Sequence, residues 1–146
     1  MIRRGPWVPL LPPKARFAVI TIVPVILLGW GFDYVMPGET AESLSFVERA
    51  MPLWAWGVLC ITAGILALTG FLGRWRRIAV VGLWLGGVTF FVLAVGQWVA
   101  VWNNPWLDGI RGPILASVVA LAQLGMALGY ALQPDADAIR REVEGD

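Results

Sequence analysis

The chain lacks histidine altogether and contains one cysteine among its 146 residues. Without histidine, it lacks the most common general base and the most common neutral metal ligand. A single cysteine, Cys60, cannot form an intrachain disulfide, a redox pair or a zinc or iron–sulfur ligand set. The sequence also has no GxxxxGK[ST], GxGxxG or GxSxG motif. We therefore expect no enzymatic activity, no bound metal and no cofactor.

Charged residues are scarce as well, at 14% of the chain, whereas 58% of the residues are hydrophobic. An average soluble domain is about 45–50% apolar and about 25% charged. The mean hydropathy is +0.72, and a chain this short cannot hide so much apolar surface from water. The composition therefore predicts that the lipid bilayer is its principal partner. A net charge of +1 gives no reason to expect nucleic-acid binding.

Four apolar runs extend over residues 17–36, 53–72, 78–101 and 114–132. A bilayer core of about 30 Å is crossed by about 20 helical residues, and helices close their backbone hydrogen bonds internally. The pattern predicts an all-α integral membrane protein, with residues 17–132 forming a four-helix bundle built from two helical hairpins.

The two ends of the chain differ from these runs in composition. Residues 1–16 contain Pro6, Pro9, Pro12 and Pro13, and interior prolines disrupt a helix, so we expect an extended N-terminal segment. Residues 133–146 form a polar tail, for which we expect no chemistry.

The distribution of basic residues predicts the topology. With four spans, nine basic residues lie on one side of the membrane and two on the other, and the richer side is cytoplasmic by the positive-inside rule. We expect a multi-pass protein of the cytoplasmic (inner) membrane with both termini inside. The short loop Arg74–Arg77 could alternatively bind an anionic lipid. The nine residues are Arg3, Arg4, Lys14, Arg16, Arg74, Arg76, Arg77, Arg140 and Arg141, and the two are Arg49 and Arg111.

Tryptophans cluster at the predicted outer ends of the spans. Amphipathic rings prefer the level of the lipid headgroups, so we expect these side chains to lie at the membrane interface. A dense aromatic belt could alternatively dock a partner protein. The residues are Trp30, Trp54, Trp56, Trp98 and Trp102.

The first outer loop contains a helix-start signal. Ser45 and Glu48 have the spacing of a capping box. Leu44, Val47 and Met51 follow at helical spacing, which predicts a short helix lying on the membrane.

Asp33 is the one ionisable residue within the predicted spans. Burial of a charge in lipid is costly, so we expect Asp33 to pair with Arg49 or Arg111 or to reach water. An ion-binding site is the alternative interpretation.

Small residues and one amide are candidates for helix packing. The pairs Gly82–Gly86 and Gly125–Gly129 have the GxxxG spacing that lets helix backbones approach closely. Gln123 lies at the middle of the fourth span, where an interhelical hydrogen bond is the expected role. The alternative for Gln123 is a side chain that lines a pore or contacts a substrate.

Three segments carry a resemblance to known proteins: MPLWAWG at 51–57, AGILALTG at 63–70 and RWRR at 74–77. They resemble small four-span membrane proteins encoded by actinobacteria and their phages. The resemblance implies a protein of the host membrane, and a holin-like lysis protein as one function. It implies no role for any individual residue.

Three functions are compatible with these observations. The first is a holin-like protein that self-associates and opens the membrane. The second is a structural or accessory subunit of a larger membrane complex, which would contact another membrane protein. The third is a small transporter or channel, which requires polar groups along a pathway.

Overall fold

The computed structural model describes residues 13–36, 45–103 and 109–133. Within these ranges the chain forms four α-helices, one 3-10 turn and no strand. The helices are α1 (Pro13–Val35), α2 (Leu53–Gly73), α3 (Arg76–Asn103) and α4 (Arg111–Leu132), and the 3-10 turn is Glu48–Ala50. The all-helical prediction is confirmed for the described residues. Most of the predicted N-terminal segment and all of the tail beyond Gln133 lie outside them.

Three of the helices, α2, α3 and α4, are long and apolar enough to span a membrane. Their bounds differ from the predicted runs by at most three residues. In α1 the apolar stretch with described side chains is Ile22–Val35, which is shorter. Crossing by α1 and the bundle of two hairpins stay predictions.

The structure corrects the start of the first helix. α1 begins at Pro13, so residues 13–16 are helical and do not belong to an extended segment. A proline is well tolerated in the first turn, because the N–H that it lacks would have no partner there. Pro24 lies inside the same helix and is fully buried.

Helices α2 and α3 approach each other at the backbone. They are joined by only two residues, Arg74 and Trp75. A Cβ atom on Gly82 would lie 2.3 Å from the backbone nitrogen of Ala67, and one on Gly70 would lie 2.2 Å from that of Ala79. Neither position can accept a side chain unless a helix moves.

The other consecutive helices also pack against each other, α1 against α2 and α3 against α4. The first contact is glycine against glycine: a Cβ on Gly57 would lie 2.7 Å from the Gly31 carbonyl oxygen. Helices α1 and α3 are in contact through side chains: the rings of Trp30 and Phe90 pack edge to face, with 5.1 Å between their centroids.

The two predicted GxxxG pairs differ in their surroundings. Gly82 and Gly86 are buried against neighbouring helices. Gly125 and Gly129 are exposed on α4, and a Cβ on either would meet nothing within 4 Å. The prediction that Gly125 and Gly129 pack against another helix is therefore wrong within the described part of the chain.

This difference predicts opposite effects of the same substitution. Gly82→Ala should lower the free energy of unfolding by about 1–3 kcal/mol, because the added methyl group overlaps the α2 backbone. Gly125→Ala should leave it unchanged or raise it by up to about 1 kcal/mol, since alanine favours helix over glycine. Thermal unfolding in detergent compares the two variants. Equal loss in both would contradict the assignment of the buried faces.

Candidate functional site

A buried polar cluster lies where α1 ends and α2 begins, at what we call the loop end of the helices. The Tyr34 hydroxyl donates to Oε1 of Glu48, and the Ser45 N–H donates to Oε2 at 2.7 Å. The Glu48 N–H in turn donates to the Ser45 hydroxyl oxygen at 3.4 Å. These reciprocal bonds between Ser45 and Glu48 confirm the predicted capping box. All three side chains are buried.

The segment that carries this cluster, residues 45–51, packs between the helices. A Cβ on Gly96 of α3 would lie 2.5 Å from Cβ of Val47. Gly96 is seven residues from the end of α3, which is about 10 Å along the helix axis. Met51 packs with Val47 against Tyr34 and Trp56.

The predicted surface helix in this loop is a single 3-10 turn. Its apolar stripe faces the protein interior at Val47 and Met51. Leu44, the first residue of the predicted stripe, lies outside the described residues. Because Gly96 has no side chain, residues 45–51 can pack against α3 at this position. The hydropathy pattern of the sequence does not indicate this contact.

The predicted ion pair is not formed among the described residues. The side chains of Asp33, Arg49 and Arg111 are all exposed. The enclosed acid is Glu48 instead, only 8% exposed, and it is satisfied by a tyrosine and a backbone N–H. The capping-box spacing was the sequence signal for it, but that spacing indicates a helix start and does not indicate burial.

Gln123 lies in the interior, fully buried, at the contact between α3 and α4. A Cβ on Gly86 would lie 2.1 Å from Oε1 of Gln123 and 2.9 Å from Cδ1 of Leu27. Neither amide atom of Gln123 has a hydrogen-bond partner in the described structure. The amide therefore fills the hollow above Gly86 without forming the expected interhelical hydrogen bond.

The hydroxyl of α3 nearest in sequence to Gly86 does not form a hydrogen bond with the Gln123 amide. Thr89 is buried on the helix that carries Gly86. Its hydroxyl donates to the carbonyl of Leu85, one turn earlier in the same helix, at 2.8 Å.

The predicted interfacial tryptophans divide into two groups. Trp54 and Trp102 are 62% and 88% exposed, as an interfacial position requires. Trp98 is also exposed, and its Nε1–H donates to the Ser117 hydroxyl of α4 at 3.0 Å. Trp56 is only 6% exposed, and its Nε1 has no hydrogen-bond partner among the described residues. It packs in the protein interior, and the prediction that it faces the membrane interface is wrong. Trp30 is partly buried.

The arginine-rich link lies at the opposite end of the helices. Arg74 adopts the left-handed conformation with φ 56°, and the Trp75 N–H then donates to the Gly70 carbonyl at 2.8 Å. Arg76 donates from Nη1 to the Gln133 carbonyl, which joins the start of α3 to the end of α4. Arg77 is exposed.

Three searches for related proteins, against family models, curated proteins and solved structures, find no match to this chain. The described residues contain no group of three histidine, cysteine, aspartate or glutamate side chains that could hold a metal ion.

The unpaired amide predicts a stabilising substitution. Gln123→Met keeps an unbranched side chain of similar length and removes a buried polar group that has no partner. We expect the free energy of unfolding in detergent to rise by about 1 kcal/mol, since an unsatisfied buried group costs about 1–3 kcal/mol. A loss of 1 kcal/mol or more would show that Gln123 has a stabilising partner.

Proposed function

We propose that the protein is a non-catalytic structural subunit that self-associates in the cytoplasmic membrane through α4. It crosses the membrane as a four-helix bundle of two hairpins with both termini inside, in accord with the bias of basic residues. The observation that carries the proposal is the face of α4 formed by Val118, Ala122, Gly125 and Gly129, which is exposed along its length.

A second copy of the chain is the partner that this face fits. Copies inserted in one membrane share one orientation, so a two-fold axis along the membrane normal brings α4 against α4. Each copy then supplies Gly125 and Gly129 to the crossing, where small residues allow close backbone contact. Within each chain the equivalent stripe on α3 is already covered by neighbouring helices.

The polar groups of the described helices favour a structural role over a holin. Gln123 and Thr89 are buried inside the chain. Between residues 78 and 102 the exposed side chains of α3 are apolar, among them Val81, Val88 and Phe91. An opening lined by α3 of several copies would therefore be apolar, which opposes filling by water.

A transporter is disfavoured on similar grounds. The buried polar side chains do not form a hydrogen-bonded series among the described residues. In this part of the chain, Gln123 at mid-helix packs near Gly86 and Leu27 and has no hydrogen-bond partner, and Glu48 at the loop end is bonded only to Tyr34 and Ser45.

Substitution on the exposed face tests the self-association. Gly125→Ile should weaken the dimer by about tenfold or more, because a branched side chain holds the two backbones apart. Ala131→Ile, exposed on the same helix, is the matched control and should leave the dimer intact. Förster transfer between labelled copies in liposomes measures the affinity. Equal affinity for both variants would contradict the α4 interface.

A second measurement separates a structural subunit from a holin. When the protein is expressed alone and its insertion is verified, we expect the membrane potential to persist as protein accumulates. A holin would abolish the potential abruptly after a delay and would release a co-expressed lysin to the cell wall. A potential-sensitive dye read against protein level distinguishes the two, and abrupt collapse would overturn the structural role.

A further inference from the structure

We propose that residues 45–51 form a latch that locks α1 to α3 at the loop end, and that its release opens the helix interior down to Cys60. The latch closes when Glu48 accepts the Tyr34 hydroxyl of α1 and Val47 packs onto Gly96 of α3. The latch involves no residue of α4.

The latch connects two helices that have little direct backbone contact. The close backbone approaches of α1 are with α2, at Gly31 and Gly57. α1 reaches α3 through side chains, with Trp30 edge to face on Phe90 and Leu27 close to Gly86. The latch adds a hydrogen bond to the last turn of α1.

The burial of the polar side chain of Glu48 favours opening of the latch. Glu48 is enclosed with two hydrogen-bond donors and no basic partner among the described residues. A buried polar group regains hydration when it returns to water, and this gain offsets part of the lost contacts. The helix-to-helix glycine contacts have no such compensation, so we expect the latch to open before the helices separate.

Cys60 lies deeper between the helices than the latch. It is seven residues into α2, about 10 Å along the axis from the loop end. Trp30 packs both against the cluster that contains Cys60 and against the cluster that contains Tyr34. The Cys60 side chain is fully buried against Leu27 and Phe90. Because it is the single cysteine of the chain, its thiol is a native probe of the path that the latch closes.

The test is the rate at which N-ethylmaleimide labels Cys60 in the full chain reconstituted in liposomes. Tyr34→Phe removes the hydrogen bond from α1, and labelling should accelerate about tenfold, the factor expected for one net buried hydrogen bond. Gly96→Ala opens the latch by a different route, since its Cβ would lie 2.5 Å from Cβ of Val47. It should accelerate labelling as well.

Two controls separate latch opening from general loosening. Asp33→Asn changes an exposed neighbour of Tyr34 and should label at the wild-type rate. Gly87→Ala strains the α3–α4 contact, where its Cβ would lie 2.8 Å from Leu124, and should lower the melting temperature without accelerating labelling. Unchanged labelling in either latch variant, or equally fast labelling in Gly87→Ala, would overturn the proposal.

Discussion

Close approach of helix backbones is the constraint on which the rest of this structure depends. Lipid tails are as apolar as leucine, so helices in a membrane associate through packing and not through hydrophobic burial. The contact of α2 with α3 meets this requirement with glycines at positions 70 and 82, each within van der Waals reach of the opposing backbone. The two-residue link between these helices leaves little freedom for any other alignment.

Once the helices are this close, few places remain for polar groups. Glu48 is accommodated at the loop end because a capping-box backbone N–H and a tyrosine hydroxyl are already directed towards it. Gln123 has no such partners, and Gly86 provides space for its amide but no hydrogen bond. A buried polar residue without partners lowers stability, and it can be retained because it specifies how two elements align.

The four helices followed from the length of the apolar runs, and so did the bounds of α2, α3 and α4 to within three residues; α1 begins four residues before its run, at Pro13. The reciprocal bonds of Ser45 with Glu48 followed from their spacing. Which face of each helix is buried could not be predicted from the sequence. Nearly every face of these helices is apolar, so the periodicity of hydrophobic residues does not distinguish the buried face from the exposed one. Trp54 and Trp56 show the consequence: they are two residues apart, about 200° around the helix, and only Trp56 is buried. Identical GxxxG spacing likewise could not distinguish the covered stripe of α3 from the exposed stripe of α4.

The two sides of α4 act together in this arrangement. On its inner side, Gln123 occupies the hollow over Gly86 and Leu124 packs on Gly87, so rotation of α4 about its axis would force these side chains into the α3 backbone. That restriction holds Gly125 and Gly129 at a constant angle on the outer side. A rigidly presented stripe loses less entropy on association than one on a freely rotating helix. Internal packing of α4 and its proposed contact with a second copy are therefore linked, because the amide that lowers stability inside the chain also sets the direction in which the proposed contact surface faces.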